Sequence, residues 1–184
     1  MARVAVLMAE GYEEGETITI VDILRRAGAE VTTFCFSDDR FVKGMYGMYV
    51  QADEKFSDVV KDYDAIVLPG GRPGGANLLS DEDVIAMVQY FHSHDKYVCA
   101  MCSGTIVLSE AKVIDGVRVT GYTGYAEKLK GGIFVDEVAV SDQKIITSQG
   151  PATGYPFAFL IAEELGYDVS HLKEGMLYNF AKGK

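Results

Sequence analysis

Apolar residues in this chain fall into two kinds of grouping, short unbroken runs and stripes at helical spacing, and the two alternate along its length. Val4 to Met8 is an unbroken run, which predicts a strand buried on both faces. From Glu16 to Ala27 the period changes. Ile20, Ile23, Leu24 and Ala27 recur three and four positions apart, predicting a helix that Gly28 closes. Glu30 to Phe36 reads as a second strand. Residues 40–56, with Gly44, Gly47 and four aromatics, predict a hairpin or an excursion carrying Tyr49 and Val50. Asp64 to Leu68 is a third strand and runs into Pro69-Gly70-Gly71. A long helix over Asp81–His94 takes Asp81 as its N-cap. Lys96 to Met101 is another strand, and a helix opens at Ser103. Val117–Thr120, Phe134–Ser141 and Lys144–Ser148 read as strands, and Pro151–Leu165 as a helix ended by Gly166. One more short helix is expected in 167–184.

Strands alternating with helices across short connections predict an α/β protein with a mostly parallel sheet covered on both faces. With no repeat, linker or low-complexity tract, residues 1–184 read as a single domain. In such sheets ligands bind beyond the carboxyl ends of the strands. Three segments reach that edge: Glu10–Glu16, Gly70–Gly75, and Cys102 with its neighbours.

Composition narrows the partners. At 184 residues, 48% of them hydrophobic, the chain can bury about 70% of its unfolded surface. A formal charge of −10, with no run of Lys or Arg, argues against nucleic acid and membrane surfaces as partners. The apolar run after Met-Ala-Arg is too short for a signal peptide, and no run approaches a membrane span. Three cysteines, an odd number without an export signal, are expected reduced in the cytoplasm.

Cys102 stands where a strand stops and a helix begins. A thiol at that corner faces unpaired helix N–H groups and the positive end of the dipole, which favour thiolate. Its pKa is expected below the roughly 8.5 of a free thiol, and it is expected to alkylate faster than Cys35 or Cys99. Ala100-x-Cys102-x-Gly104 has the spacing of a nucleophile elbow with Cys in place of Ser. The alternative is a buried structural thiol. Cys99 and Cys102 also make a C-x-x-C, but a strand places residues three apart on opposite faces and roughly 10 Å apart, too far for a disulfide. No Cys or His pair has zinc-ligand spacing, so no metal is expected. Gly70-Gly-Arg-Pro-Gly-Gly75 fits neither G-x-G-x-x-G nor a P-loop, and reads as backbone that approaches the thiolate.

Four segments in order, Gly11-Tyr-Glu-Glu-Gly-Glu16-Thr, Ala65-Ile-Val-Leu-Pro-Gly-Gly71, Cys99-Ala-Met-Cys102-Ser-Gly and Thr147-Ser-Gln-Gly-Pro151, resemble the ThiJ/PfpI superfamily and its DJ-one-like branch. The resemblance spans nearly the whole chain. It implies a three-layer α/β/α sandwich, flavodoxin-like and related to class I glutamine amidotransferases, and a homodimer. It also implies that Cys102 is the reactive residue, that Glu16 hydrogen-bonds it, and that the N–H groups of Gly71 and Ser103 form an oxyanion hole. No cofactor is implied. A Glu facing a thiolate would repel it unless protonated, and burial raises a carboxyl pKa, so the pair is expected to share one proton.

Several positions depart from the family pattern. Tyr122 stands where many members place His, and Ser103 follows the Cys where a protease-like branch has His. His92 and His94 end a helix at the opposite edge of the sheet, and His171 lies in the C-terminal segment. Proteolysis through a Cys–His pair is therefore disfavoured. Gln149 and Met45-Tyr46-Gly47 replace basic residues of relatives, so the pocket is expected to lose positive charge and gain phenols from Tyr122, Tyr46 and Tyr12. Gly70, Tyr46 and Tyr122 are the candidate pocket residues. Two functions follow. The resemblance implies glyoxalase-like or deglycase-like action on reactive carbonyls through the Cys102 thiolate. The alternative is a redox-responsive stress or chaperone-like binding protein whose Cys102 is oxidised to sulfinate.

Overall fold

The computed structural model describes residues 1–183. The strands are β1 (Arg3–Met8), β2 (Glu30–Cys35), β3 (Phe41–Lys43), β4 (Tyr49–Gln51), β5 (Glu54–Lys55), β6 (Ala65–Leu68), β7 (Tyr97–Met101), β8 (Arg118–Val119), β9 (Ile133–Phe134), β10 (Ala139–Asp142) and β11 (Ile145–Ser148). The helices are α1 (Glu14–Ala27), α2 (Gly74–Ser80), α3 (Glu82–Ser93), α4 (Thr105–Glu110), α5 (Gly154–Glu164), α6 (Ser170–Gly175) and α7 (Tyr178–Ala181).

Seven strands form one sheet in the order β10-β11-β7-β6-β1-β2-β5, with only the β10–β11 pair antiparallel. The pleat divides the apolar runs between two cores. Ala5, Leu7, Ile66, Leu68, Val98 and Ala100 face α3 and α4, where Val84, Val88, Phe91 and Leu108 cover them. Val4, Val6, Ala65, Val67, Cys99 and Met101 face α1 and α5, covered by Ile20, Ile23, Leu24 and Phe157. The inner strands β1, β6 and β7 are buried on both sides, as unbroken apolar runs require. The result is a three-layer α/β/α sandwich of flavodoxin-like type.

From β1 the chain moves to β2 on one side, and later to β6 and β7 on the other. That reversal opens a crevice at the carboxyl ends of β1, β6 and β7. The three predicted segments meet there. Glu13 N–H donates to the Gly70 carbonyl at 3.1 Å, and Gly74 N–H donates to Gly11 at 3.1 Å.

Several elements differ from the sequence reading. Residues 74–80 form a helix where the sequence predicts only a glycine-rich loop, because a helix of about two turns that opens on Gly74 and Gly75 leaves no apolar stripe to read. The strand expected over 117–120 shrinks to β8, which pairs with β9 in a separate two-stranded sheet. The expected strand over 134–141 is accordingly split between β9 and β10. Residues 40–56 form a β3–β4 hairpin, but β5 then returns to the main sheet beside β2. The C-terminal segment holds two short helices rather than one, and Lys184 lies outside the described residues.

Candidate active site

Strand β7 delivers Met101 in extended conformation, and Cys102 then adopts φ +53. A left-handed non-glycine residue is strained and persists only where its surroundings hold it. Here Thr105 Oγ1 donates to the Cys102 carbonyl at 2.7 Å, and a 3-10 turn over Cys102–Gly104 leads into α4. The turn lifts the half-buried Cys102 side chain to the sheet edge. It packs at the rim of the α1/α5 layer, on the side that Cys99 also faces. The expectation of opposite faces fails because Cys102 has left the strand. Cys35, Cys99 and Cys102 are all free thiols, and the first two are buried.

Glu16 comes from the first turn of α1 and has no exposed surface. Glu13 caps the helix, its carboxylate accepting Glu16 N–H at 2.6 Å. Glu16 Oε2 accepts Gly70 N–H at 2.8 Å, while Oε1 is buried without a partner. The thiol and carboxyl converge on Gly70. A Cβ there would lie 2.9 Å from both Cys102 Sγ and Glu16 Oε2, so glycine is required for the close approach. Gly71 follows at φ +113 against the Gly11 carbonyl. Its own carbonyl accepts Ser103 Oγ at 2.9 Å. The N–H groups of Gly71 and Ser103 both bond toward Cys102 and favour its thiolate.

Burial pushes the Glu16 carboxyl up to about 7, against the lowering effect of Gly70 N–H. Burial and the charge of Glu16 push the Cys102 thiol up to about 12, overcoming Ser103 and Gly71. The expected depression of the thiol pKa is thus reversed: desolvation and the carboxylate outweigh the first N–H groups of a short helix. Between those two values the pair as a unit holds one proton.

A cavity of about 200 Å³ opens on this pair, lined also by Glu13, Met45, Tyr46, Arg72, Tyr122, Tyr125 and Pro151. Tyr122 and Tyr46 both line the cavity. Tyr46 is set by Glu14, whose Oε1 accepts its N–H at 2.8 Å and so ties the hairpin to α1. Tyr12 is not in the cavity. It is buried with Met8, Cys35 and Val42, its hydroxyl unpartnered, and burial pushes its pKa up to about 12. Gln149 also turns away, donating to Asp136 and the Glu137 carbonyl. Arg72 borders the cavity and brings a positive charge to it. Arg72 and Tyr125 were missed. Arg72 sits in the glycine-rich run flagged for its backbone, and Tyr125 only three residues beyond Tyr122. Larger hollows exist, such as one of about 450 Å³ beside α3, but none joins a thiol to a buried carboxyl among the described residues. His92, His94 and His171 are exposed and away from the cavity.

An α/β/α sandwich whose inner parallel strand ends in a left-handed cysteine, with a buried carboxyl and two backbone N–H groups around the sulfur, defines a class of elbow-cysteine proteins. The model of the DJ-1/PfpI family matches residues 2–164, and the chain belongs to that family. It is 34% identical to protein dj-1beta of Drosophila melanogaster over 94% of this chain and 95% of that one. The crystal structure of Drosophila DJ-1beta superposes with a TM-score of 0.91, at 32% identity, covering 96% of this chain and 97% of that one. The chain is also 31% identical to general stress protein 18 of Bacillus subtilis, over 81% of this chain and 89% of that protein. Oxidized DJ-1 of Toxoplasma gondii matches with a TM-score of 0.87 at 28% identity, covering 98% of each chain.

Proposed function

We propose that the protein acts on reactive carbonyls through Cys102, in the manner of a glyoxalase or deglycase and without a cofactor. The observation that carries this reading is the Cys102–Glu16 pair across Gly70, with Glu16 raised to about 7. A general base works best with a pKa near the operating pH, so Glu16 supplies the proton exchange that a histidine would otherwise give. With methylglyoxal, the Glu16 carboxylate takes the thiol proton as Cys102 sulfur adds to the aldehyde carbon, and passes it to the new oxyanion to complete a hemithioacetal. The Glu16 carboxylate then takes the proton from that carbon and returns it to the neighbouring one, while a hydroxyl proton passes between the two oxygens. The resulting lactoyl thioester is hydrolysed by water, giving lactate and the free thiol. Gly71 and Ser103 N–H groups face the sulfur, where negative charge develops on the adjoining oxygen. The role of Tyr122 is to donate one hydrogen bond from its neutral phenol.

Methylglyoxal consumption with matching lactate formation tests this. Expected are weak turnover in the wild type, loss in Cys102→Ala and in Glu16→Ala, and a cost below about 1.5 kcal/mol in Tyr122→Phe. Collapse in Tyr122→Phe would assign the acid to the phenol instead.

The same groups support a second, redox reading. Two N–H donors and a protonated Glu16 would hold a Cys102 sulfinate, and relatives include a general stress protein and an oxidized DJ-1. No lactate formation, together with uptake of two oxygens at Cys102 in mild peroxide, would favour it over the carbonyl reading. On the family resemblance, we also propose a homodimer.

A further inference from the structure

The cleft at Cys102 continues past the first cavity. A second hollow of about 290 Å³ shares Gly71, Arg72, Ser103 and Tyr125 with it and adds Lys128. Two cations therefore border one cleft, and neither meets a carboxylate. Arg3, Arg25, Arg26 and Arg118 each pair with an acid, and Arg40 donates to the Asp53 carbonyl. Arg72 alone of the six arginines has neither an acid nor a carbonyl for its guanidinium among the described residues.

Aromatic rings hold these cations instead. The Arg72 guanidinium lies 5.8 Å from the Tyr122 ring centre, and Lys128 Nζ lies 4.3 Å from that of Tyr125. The two rings meet edge to face at 5.6 Å, so Arg72, Tyr122, Tyr125 and Lys128 form one continuous row. A ring face orients a cation without cancelling its charge. In a chain of net charge −10, this row is a local positive border on a nucleophile. The cavity also holds two acids, Glu13, which accepts Glu16 N–H, and Glu16, buried beside the thiol, and neither pairs with Arg72 or Lys128.

We propose that the row is an anion subsite, and that the compound reacting at Cys102 is a carbonyl bearing a carboxylate or phosphate rather than a neutral one. This deepens the carbonyl reading and rests on it. A planar guanidinium presents paired donors to such a group, and Lys128 adds a second charge.

Alkylation tests the subsite without requiring turnover. Iodoacetate and iodoacetamide have nearly the same shape and differ in charge. In both, a bond from Cys102 sulfur to carbon forms as the carbon–iodine bond breaks, iodide leaves with the bonding pair, and the thiol proton goes to buffer. Rates at Cys102 are followed by mass mapping and divided by the rate of each reagent with 2-mercaptoethanol. The normalised iodoacetate-to-iodoacetamide ratio is expected to be about fivefold above unity at low salt, the scale of one partly exposed ion pair. It should fall with added salt and in Arg72→Gln, and recover in part in Arg72→Lys. Oxalate and inorganic phosphate as competitors separate the two anion classes, the stronger protector identifying the group; protection by neither counts against the subsite. A ratio at unity that Arg72→Gln leaves unmoved would overturn the subsite, while the methylglyoxal assay judges the carbonyl reading separately. No labelling of Cys102 by either reagent would overturn both.

Discussion

At the scale of single residues, Glu16 governs how the site responds to pH. Its carboxyl is fully buried and its pKa is raised by burial from the ordinary 4.5 to about 7. A group whose folded pKa lies above its unfolded one contributes its full stability below about 4.5 and loses it as pH rises through about 7. The shift corresponds to roughly 3 kcal/mol at about 1.4 kcal/mol per unit. The melting temperature of the wild type is therefore expected to fall between about pH 5 and pH 8, and Glu16→Gln is expected to flatten that slope. A Gln variant that keeps the wild-type slope would show that Glu16 is not the group responsible. Residue identity alone pointed to Glu16 only through a motif, since Glu13 and Glu14 carry the same side chain and stand as close to the helix start. The structure separates them. Glu13 caps α1, Glu14 holds the hairpin through Tyr46, and Glu16 reaches the thiol.

At the scale of elements, long periodic segments were the most legible. Asp81 is the N-cap of α3, its carboxylate accepting the N–H groups of Asp83 and Val84, as the sequence indicated. Asp81→Ala should cost about 1 kcal/mol and lower the melting temperature by about 2–4 °C for a chain of this size. A calorimetric melt checks it, and an unchanged melting temperature would show that solvent replaces the cap. Short elements were less legible for a physical reason. A strand of two residues, such as β8 or β9, is held by pairing with a remote segment and carries no period of its own. The same holds for α2, whose first turn is built from Gly74 and Gly75.

At the scale of the whole molecule, the proposed homodimer gives a direct expectation. Light scattering at micromolar concentration should report about twice the 20.1 kDa of the chain. A mass of one chain across that range would remove the proposal. The β3–β4 hairpin carries several of the exposed large apolar side chains, with Phe41, Tyr46, Met48 and Tyr49 each about half exposed or more. No helix among the described residues is long and apolar enough to cross a membrane.

By itself the sequence determined the layered α/β architecture, because unbroken apolar runs and helical stripes report burial within one segment. It also determined the elbow at Cys102, where such a run meets a helix start, and the meeting of three loops at one sheet edge. Only the tertiary structure decided which way the thiol titrates, because that depends on desolvation and on a carboxyl 86 positions earlier in the chain. It alone placed Arg72 against Tyr122, and turned Gln149 and Tyr12 away from the cavity. These outcomes rest on distances between irregular loops far apart in sequence, and no local period records them.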